Sequence, residues 1–350
     1  MTTFFLASGD PMDHVLPHRF GESLFHWNVH WTSPFNIVTI TPHDTYFTNH
    51  ILMTIVAAFV LLAVFPRLGR RYAMALGRPP EQTVPTGLTN LLESVLQFIR
   101  DSVVRPVLGD RTDRFMPFLW TLFFFILTCN LLGLIPLDAI IGSVSGGRLQ
   151  HIGGTATGNI MITAGLAACS FFMIHFAGAR QVYSDLVAGT YGHHDHGEAA
   201  EAGHPSAGHG LKMPPPLALL ACPFLYLWNF APHVFAPEKT AGPLDLLLWL
   251  ADVLMWAILL GLEFIGALIK PFALAIRLFA NMIAGHIVLA TIVGLILAFR
   301  GIAMQVGGGL MVAVGCAALS CLELFVAFLQ AYIFVFLTTL FISASVAPEH

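Results

Sequence analysis

Charge is what this 350-residue sequence has least of: Lys, Arg, Asp and Glu together make up 10% of it, against 56% hydrophobic residues. A soluble globular domain carries about 25% charged residues, so the scarcity excludes a water-facing surface over most of the chain and indicates a polytopic membrane protein. A formal net charge of -4 offers no basic excess, and nucleic acid is not an expected partner. Cysteine is sparse too. Cys129, Cys169, Cys222, Cys316 and Cys321 lie in apolar stretches without metal-type spacing and read as small packing residues. The first 45 residues lack the basic start and apolar run of a signal peptide, so the N-terminus is expected to be retained.

What the sequence has instead is long apolar runs. Residues 1–46 form a segment before the first run, Phe47 to Pro66, which is long enough to cross a bilayer. Arg67, Arg70, Arg71 and Arg78 follow it directly and mark the cytoplasmic side, which puts the N-terminus outside. Over 89–107, Leu91, Leu92, Val95, Leu96, Ile99, Val103 and Val104 alternate with Glu93, Gln97, Arg100, Asp101 and Arg105. That spacing predicts an amphipathic helix on the cytoplasmic surface. Residues 115–177 hold two further spans, Phe115 to Ile141 and Asn159 to Phe176, joined by a Gly/Ser-rich loop over Gly142 to Gly158.

Residues 178–243 are different. Gly192 to Gly210 is a His-rich tract in which His193, His194, His196 and Asp195 could meet a metal, but a tract without fixed geometry reads as a solvated linker. Pro214, Pro215, Pro216, Pro223, Pro232 and Pro237 then make a re-entrant or interfacial piece a better reading than a straight span. Over 244–350 the sequence is almost wholly apolar. Leu244 to Phe299 would be about 84 Å as one helix, against a hydrocarbon core of about 30 Å, so it must kink, tilt strongly or be two helices. Pro271 is the kink candidate, and Gly301 with Gly307 to Gly309 supplies a turn before the last run, Ile302 to Val346.

These last runs carry few polar residues, but the ones present are regularly placed. On a helix, Asp252, Glu263, Lys270 and Arg277 fall within about 40° of one another, and Asn281 stays near the Arg277 face. His286 points to the opposite face, about 13.5 Å further along the axis. Glu323 and Gln330 share a face of the last run. In an antiparallel hairpin, residues at equal depth have numbers with a constant sum; Arg277 with Gln330 gives 607 and His286 with Glu323 gives 609, which puts the turn near residue 304. A buried His and Glu at one level can pass a proton between them. An arginine cannot, and acts as a fixed positive potential. The plainer readings are pairing of Arg277 with Glu263 or Asp252, neutralisation of Lys270 by Glu263 or its snorkelling to the interface, and helix-to-helix hydrogen bonds at His286 and Gln330.

KPFALAIRLFANMIAGHIV (Lys270 to Val288) and FLQAYIFVFLTTLFISASVAPEH (Phe328 to His350) closely resemble the two signature stretches of subunit a of the F-type ATP synthases. FFFILTCNLLGLIP (Phe123 to Pro136) and ATGNIMITAGLA (Ala156 to Ala167) are similar to that family as well, and the resemblance covers most of Leu88 to Ala177 and Leu244 to His350. It implies an all-α, multi-pass protein of the cell (inner) membrane with about five spans, the last two long, tilted and forming an antiparallel hairpin against a c-subunit ring. It also implies peripheral-stalk b subunits and the rest of the synthase as partners, with a cytoplasmic C-terminus, no catalytic residue, metal or cofactor of its own, and protons as cargo. By position, Arg277 matches the family's essential arginine, Asn281 and Gln330 its polar neighbours, and Glu263 and Lys270 the acidic and basic positions near the cytoplasmic half-channel. His286 and Glu323 stand where some members carry Glu and His, the same pair exchanged. The His-rich tract, the Pro-rich piece and the longer Gly-rich turn depart from the family pattern. Two other classes compete: a secondary transporter whose intramembrane arginine binds an anionic substrate, and a structural scaffold. Transporters usually contain internal repeats, and no duplicate of the Arg277 stretch occurs in the first half.

Overall fold

Inside a bilayer each backbone N–H and C=O must find its partner within the chain, which leaves helices as the economical solution for long apolar runs. The computed structural model follows that rule; it describes residues 19–26, 31–32, 39–40, 44–75, 87–135, 155–189, 212–228, 243–294 and 302–346. Five helical stretches are long and apolar enough to cross a membrane: Asn49–Arg70, Leu88–Leu134, Ile160–Ala188, Val253–Ile292 and Gly307–Val346. The helices are α1 (Asn49–Ala75), α2 (Leu88–Gln97), α3 (Arg105–Leu108), α4 (Thr112–Leu134), α5 (Ile160–Ala188), α6 (Pro215–Trp228), α7 (Pro243–Gly294) and α8 (Ile302–Val346). The all-helical membrane region agrees with the sequence reading. Ahead of it lie two small antiparallel ladders, β1 (Arg19–His26) with β4 (Asp44–Thr48) and β2 (Trp31–Thr32) with β3 (Thr39–Ile40). No alternating pattern in that segment had suggested them. The His-rich tract Gly192 to Gly210, Pro232 and Pro237 lie outside the described residues.

One element, the Gly-rich turn, differs from the sequence expectation. α7 passes through Pro271 as one 52-residue helix, and α8 is one 45-residue helix that includes Gly307, Gly308 and Gly309. Gly307 to Gly309 are therefore not the turn, and Gly301 lies outside the described residues. Each glycine costs a helix only about 1 kcal/mol, whereas breaking the helix in a bilayer orphans several backbone groups at several kcal/mol each. At 1.5 Å per residue α7 is about 78 Å long and α8 about 68 Å, each more than twice the hydrocarbon thickness.

The chain divides into two compact units, Met1–Gly165 with Leu274–Val335, and Leu166–Ala273 with Phe336–His350. In the first, α4 is the central helix: Phe115, Met116, Leu119, Leu122, Phe123, Phe124, Ile126 and Cys129 are all buried. Against it α1 turns His50, Met53 and Ala57, spaced to fall on one helical face. Phe123 meets Phe124 and Phe328 edge-on at 5.1 and 5.6 Å between ring centroids. The amphipathic stretch begins as α2, passes through a π-helical turn (Phe98–Val104) into α3, and stops at Gly109, whose φ of 54° suits glycine. It buries Ile99, Val103, Val104 and Leu108. Arg100 pairs with Asp113 of α4 at 2.7 Å, and the Trp120 indole N–H donates to the Leu96 carbonyl at 3.1 Å.

In the second unit, Val182 and Leu186 of α5 pack on Ala218 and Cys222 of α6. α6 is 14 residues long, about 21 Å, shorter than the hydrocarbon core. Gly178 is the closest approach. A methyl there would stand 2.6 Å from the Tyr226 ring and 2.9 Å from the Ser345 carbonyl oxygen. Since a backbone atom cannot swing aside, Gly178→Val is expected to lower thermal stability by about 2–3 kcal/mol. Gly165→Ala, which opens into free space, should change it by less than about 0.5 kcal/mol. Thermal unfolding of both variants in detergent checks the contrast.

Candidate functional site

α7 packs through Leu274, Ala275, Leu278 and Met282, a stripe with helical spacing. Arg277 lies about 100° from the centre of that stripe and is exposed. Its guanidinium makes no ion pair or hydrogen bond among the described residues, where the ion pairs are Arg100–Asp113 and Arg105–Asp101. Glu263, also exposed, makes none either. The side chain of Asp252 lies outside the described residues. Lys270 sits over the Phe341 ring, 5.1 Å from its centroid, a cation–π contact that engages the ammonium without a carboxylate.

The contacts between α7 and α8 are antiparallel. Asn281 Nδ2 donates to Gln330 Oε1 at 2.9 Å. A methyl at Gly285 would touch the Glu323 carboxyl, 2.5 Å from Oε1, and one at Gly315 would meet Ile292 at 3.9 Å. The residue numbers of these contacts sum to 611, 608 and 607, close to the register read from the sequence. Because α8 starts at Ile302, its first turns run past the end of α7. Gln330, expected level with Arg277, has Asn281 as its partner, one turn further on. Its Nε2 is buried without a hydrogen bond among the described residues, as is Glu323 Oε1. An unsatisfied buried polar atom costs about 1–3 kcal/mol.

His286 is half-buried and shares a hydrogen bond between its Nε2 and Thr155 Oγ1, while Glu323 lies against the neighbouring Gly285. The Thr155 backbone carbonyl in turn accepts from His50 Nδ1 at 2.8 Å. In the same region the Thr157 hydroxyl donates to Asn130 Oδ1 at 2.9 Å, and Asn130 Nδ2 donates to the Ala327 carbonyl at 3.2 Å. His50, Thr155, Thr157 and Asn130 are buried. They stand at the start of α1, just before α5 and near the end of α4, and His286 is in the last turns of α7. In an up-and-down bundle those four ends share one side. Sequence reading missed His50, Thr155, Thr157 and Asn130 as site residues because their partners are remote along the chain; the only local signal is that Asn130 and Thr157 fall inside the motif stretches.

A second polar contact lies in the other unit. Tyr226 of α6, whose phenol burial pushes up to about 12, keeps its O–H at neutral pH and is placed 2.8 Å from His175 Nδ1. The Cys222 thiol beside it is also pushed up by burial. No group of three or more His, Cys, Asp or Glu gathers in metal-binding fashion among the described residues.

A multi-pass helical membrane protein with a polar layer across four helix ends and an outward-facing arginine is the class that fold and site define. Residues 50–191 and 217–343 match the ATP synthase A chain family, and the chain belongs to it. The interval between them, 192–216, contains the whole His-rich tract. The chain is 34% identical to an ATP synthase subunit a of Chloroherpeton thalassium, over 90% of this chain and 73% of the relative. It is 31% identical to an ATP synthase subunit a of Pelodictyon phaeoclathratiforme, over 87% and 67%, and 29% identical to an ATP synthase subunit a 2 of Chlorobaculum tepidum, over 97% and 75%.

Arg277 has no partner to lose among the described residues, so Arg277→Ala should move thermal stability by no more than about 0.5 kcal/mol. Asn281→Ala and Gln330→Ala should instead be coupled by about 1 kcal/mol in a double-mutant cycle. Unfolding of the purified chain in detergent measures both.

Proposed function

We propose that the chain is the proton-conducting stator subunit of an F-type ATP synthase, loading and unloading protons on a rotating ring of c subunits that passes Arg277. The observation that carries this reading is the exposed guanidinium of Arg277 on the unpacked side of an apolar helix, with no partner among the described residues. A charge at bilayer depth costs a few kcal/mol or more, and the carboxylate of an apolar ring packed on that face would offset it.

Two half-channels follow. On the outer side a proton passes Glu323 and His286 and reaches a c-subunit carboxylate, which neutralises it and lets it rotate into lipid. Glu323 supplies a buried oxygen with no hydrogen bond among the described residues, and His286 an imidazole whose Nε2 is hydrogen-bonded to Thr155. Asn281 and Gln330, joined to each other, line the neighbourhood of Arg277 without adding charge. On the cytoplasmic side the carboxylate meets an aqueous path near Glu263 and Lys270 and releases its proton. Arg277 stands between the paths. Its permanent charge favours the ionised carboxylate as it passes and repels protons that would leak straight across. The membrane potential contributes about 2.3 kcal/mol per charge per 100 mV, so several protons drive each ATP made in the peripheral subunits. Peripheral-stalk b subunits hold the chain against the torque, the N-terminus lies outside, and the C-terminus is cytoplasmic.

Arg277→Ala in the assembled complex should abolish ATP synthesis driven by an imposed proton gradient while complex content stays near normal; wild-type synthesis would overturn the reading. Exchanging His286 and Glu323 together should retain more synthesis than loss of either one, and equal damage in all three would argue against a working pair.

A further inference from the structure

We infer that Thr155, held in place by His50 of the first helix, is a positioning residue of the outer proton path: its hydroxyl keeps His286 hydrogen-bonded in both protonation states. The inference rests on the proton-channel reading above.

The chemistry begins at the Thr155 carbonyl, which can only accept. His50 Nδ1, 2.8 Å away, must therefore carry its proton. That bond fixes the backbone of Thr155 from one side. From the other, Gly133 of α4 leaves no room for any atom beyond hydrogen: a methyl there would overlap the Thr155 side chain and lie 2.5 Å from Oγ1. His50 is 2% exposed and Thr155 4%. The hydroxyl is thus set by two helices and directed at His286 Nε2.

A proton carrier presents its partner with a changing demand. Neutral His286 with its proton on Nδ1 needs a donor at Nε2, whereas the imidazolium needs an acceptor there. A hydroxyl meets both by rotating its hydrogen while the heavy atoms stay still. A carbonyl serves only the imidazolium, an ammonium only the neutral ring, and valine, of the same shape, neither. Thr155 therefore lets His286 gain and lose a proton without moving α7 against α4. Among the described residues, the titratable groups beside this site include Glu323 from α8, against the neighbouring Gly285, and His50 from α1 behind Thr155. α4 and the turn before α5 contribute Asn130, Thr155 and Thr157, none of which titrates.

The test uses membranes containing the assembled complex, with ATP synthesis driven by an imposed gradient and measured against the pH of the outer side. Thr155→Val is expected to reduce synthesis about tenfold, the equivalent of one lost buried hydrogen bond, and to displace the pH midpoint. Thr155→Ser, which keeps the hydroxyl, should recover most of the rate at the wild-type midpoint. His50→Leu should behave like Thr155→Val, and His50→Asn, which retains a donor, should recover most of the rate. Equal rates and equal midpoints for the Val and Ser variants would overturn the inference. If Thr155→Val does not accumulate in the membrane, the His50 pair decides by the same criterion. Arg277→Ala run alongside separates the two claims: continued synthesis in it overturns the channel reading itself, whereas its loss together with identical Val and Ser profiles overturns only the role of Thr155.

Discussion

In a medium with almost no water, a polar group is either satisfied by the protein or carries an energy cost of kilocalories, and the placement of nearly every polar residue in this chain follows from that. Asn281 is bonded to Gln330, His286 to Thr155, Thr155 to His50, and Asn130 to both Thr157 and the α8 backbone. Each of these bonds is made between elements rather than within one, and those of His50, Thr155 and Thr157 lie near helix ends. Among the described residues, those outside this settlement include the Arg277 guanidinium, which faces away from the packed stripe of α7, and the buried atoms Glu323 Oε1 and Gln330 Nε2. A protein that merely had to be stable in lipid would do better without them. Their survival is what gives the proton-channel reading its physical basis.

Small residues make the polar contacts possible. Helices in a bilayer gain little from hydrophobic burial and associate through close packing. Gly133 admits the Thr155 side chain, Gly285 the Glu323 carboxyl, and Gly178 the Tyr226 ring and the Ser345 backbone. In each case the space a Cβ would occupy is taken by a neighbouring side chain or backbone atom. Two of the three receive a polar group from the layer that contains His286. The glycines that looked like a turn, Gly307 to Gly309, do neither; they are absorbed into α8, because helix continuity outweighs their poor propensity.

How legible the site was depended on sequence separation. Arg277, Asn281 and His286 were visible because a charge, an amide and an imidazole in one apolar helix are conspicuous and their angular positions follow from 100° per residue. The register of α7 on α8 could be read from residue numbers alone, although the turn assigned to it was misplaced. By contrast, the bond from Thr155 to His286 spans 131 residues and that from His50 to Thr155 spans 105. Nothing periodic announces a threonine in a short turn. The N-terminal ladders were equally silent, since their strands are short and do not alternate apolar with polar residues.

Composition and helical periodicity, local properties written along the chain, determined by themselves that this protein is helical, crosses a membrane and carries one permanent charge in its longest apolar helix. Which polar groups find each other was decided only by tertiary packing. Hydrogen bonds between helix ends depend on where several helices stop in space, and no single helix encodes that. The same packing settled that Arg277 is turned away from the packed stripe of its own helix, while His286 is held by a threonine from another element.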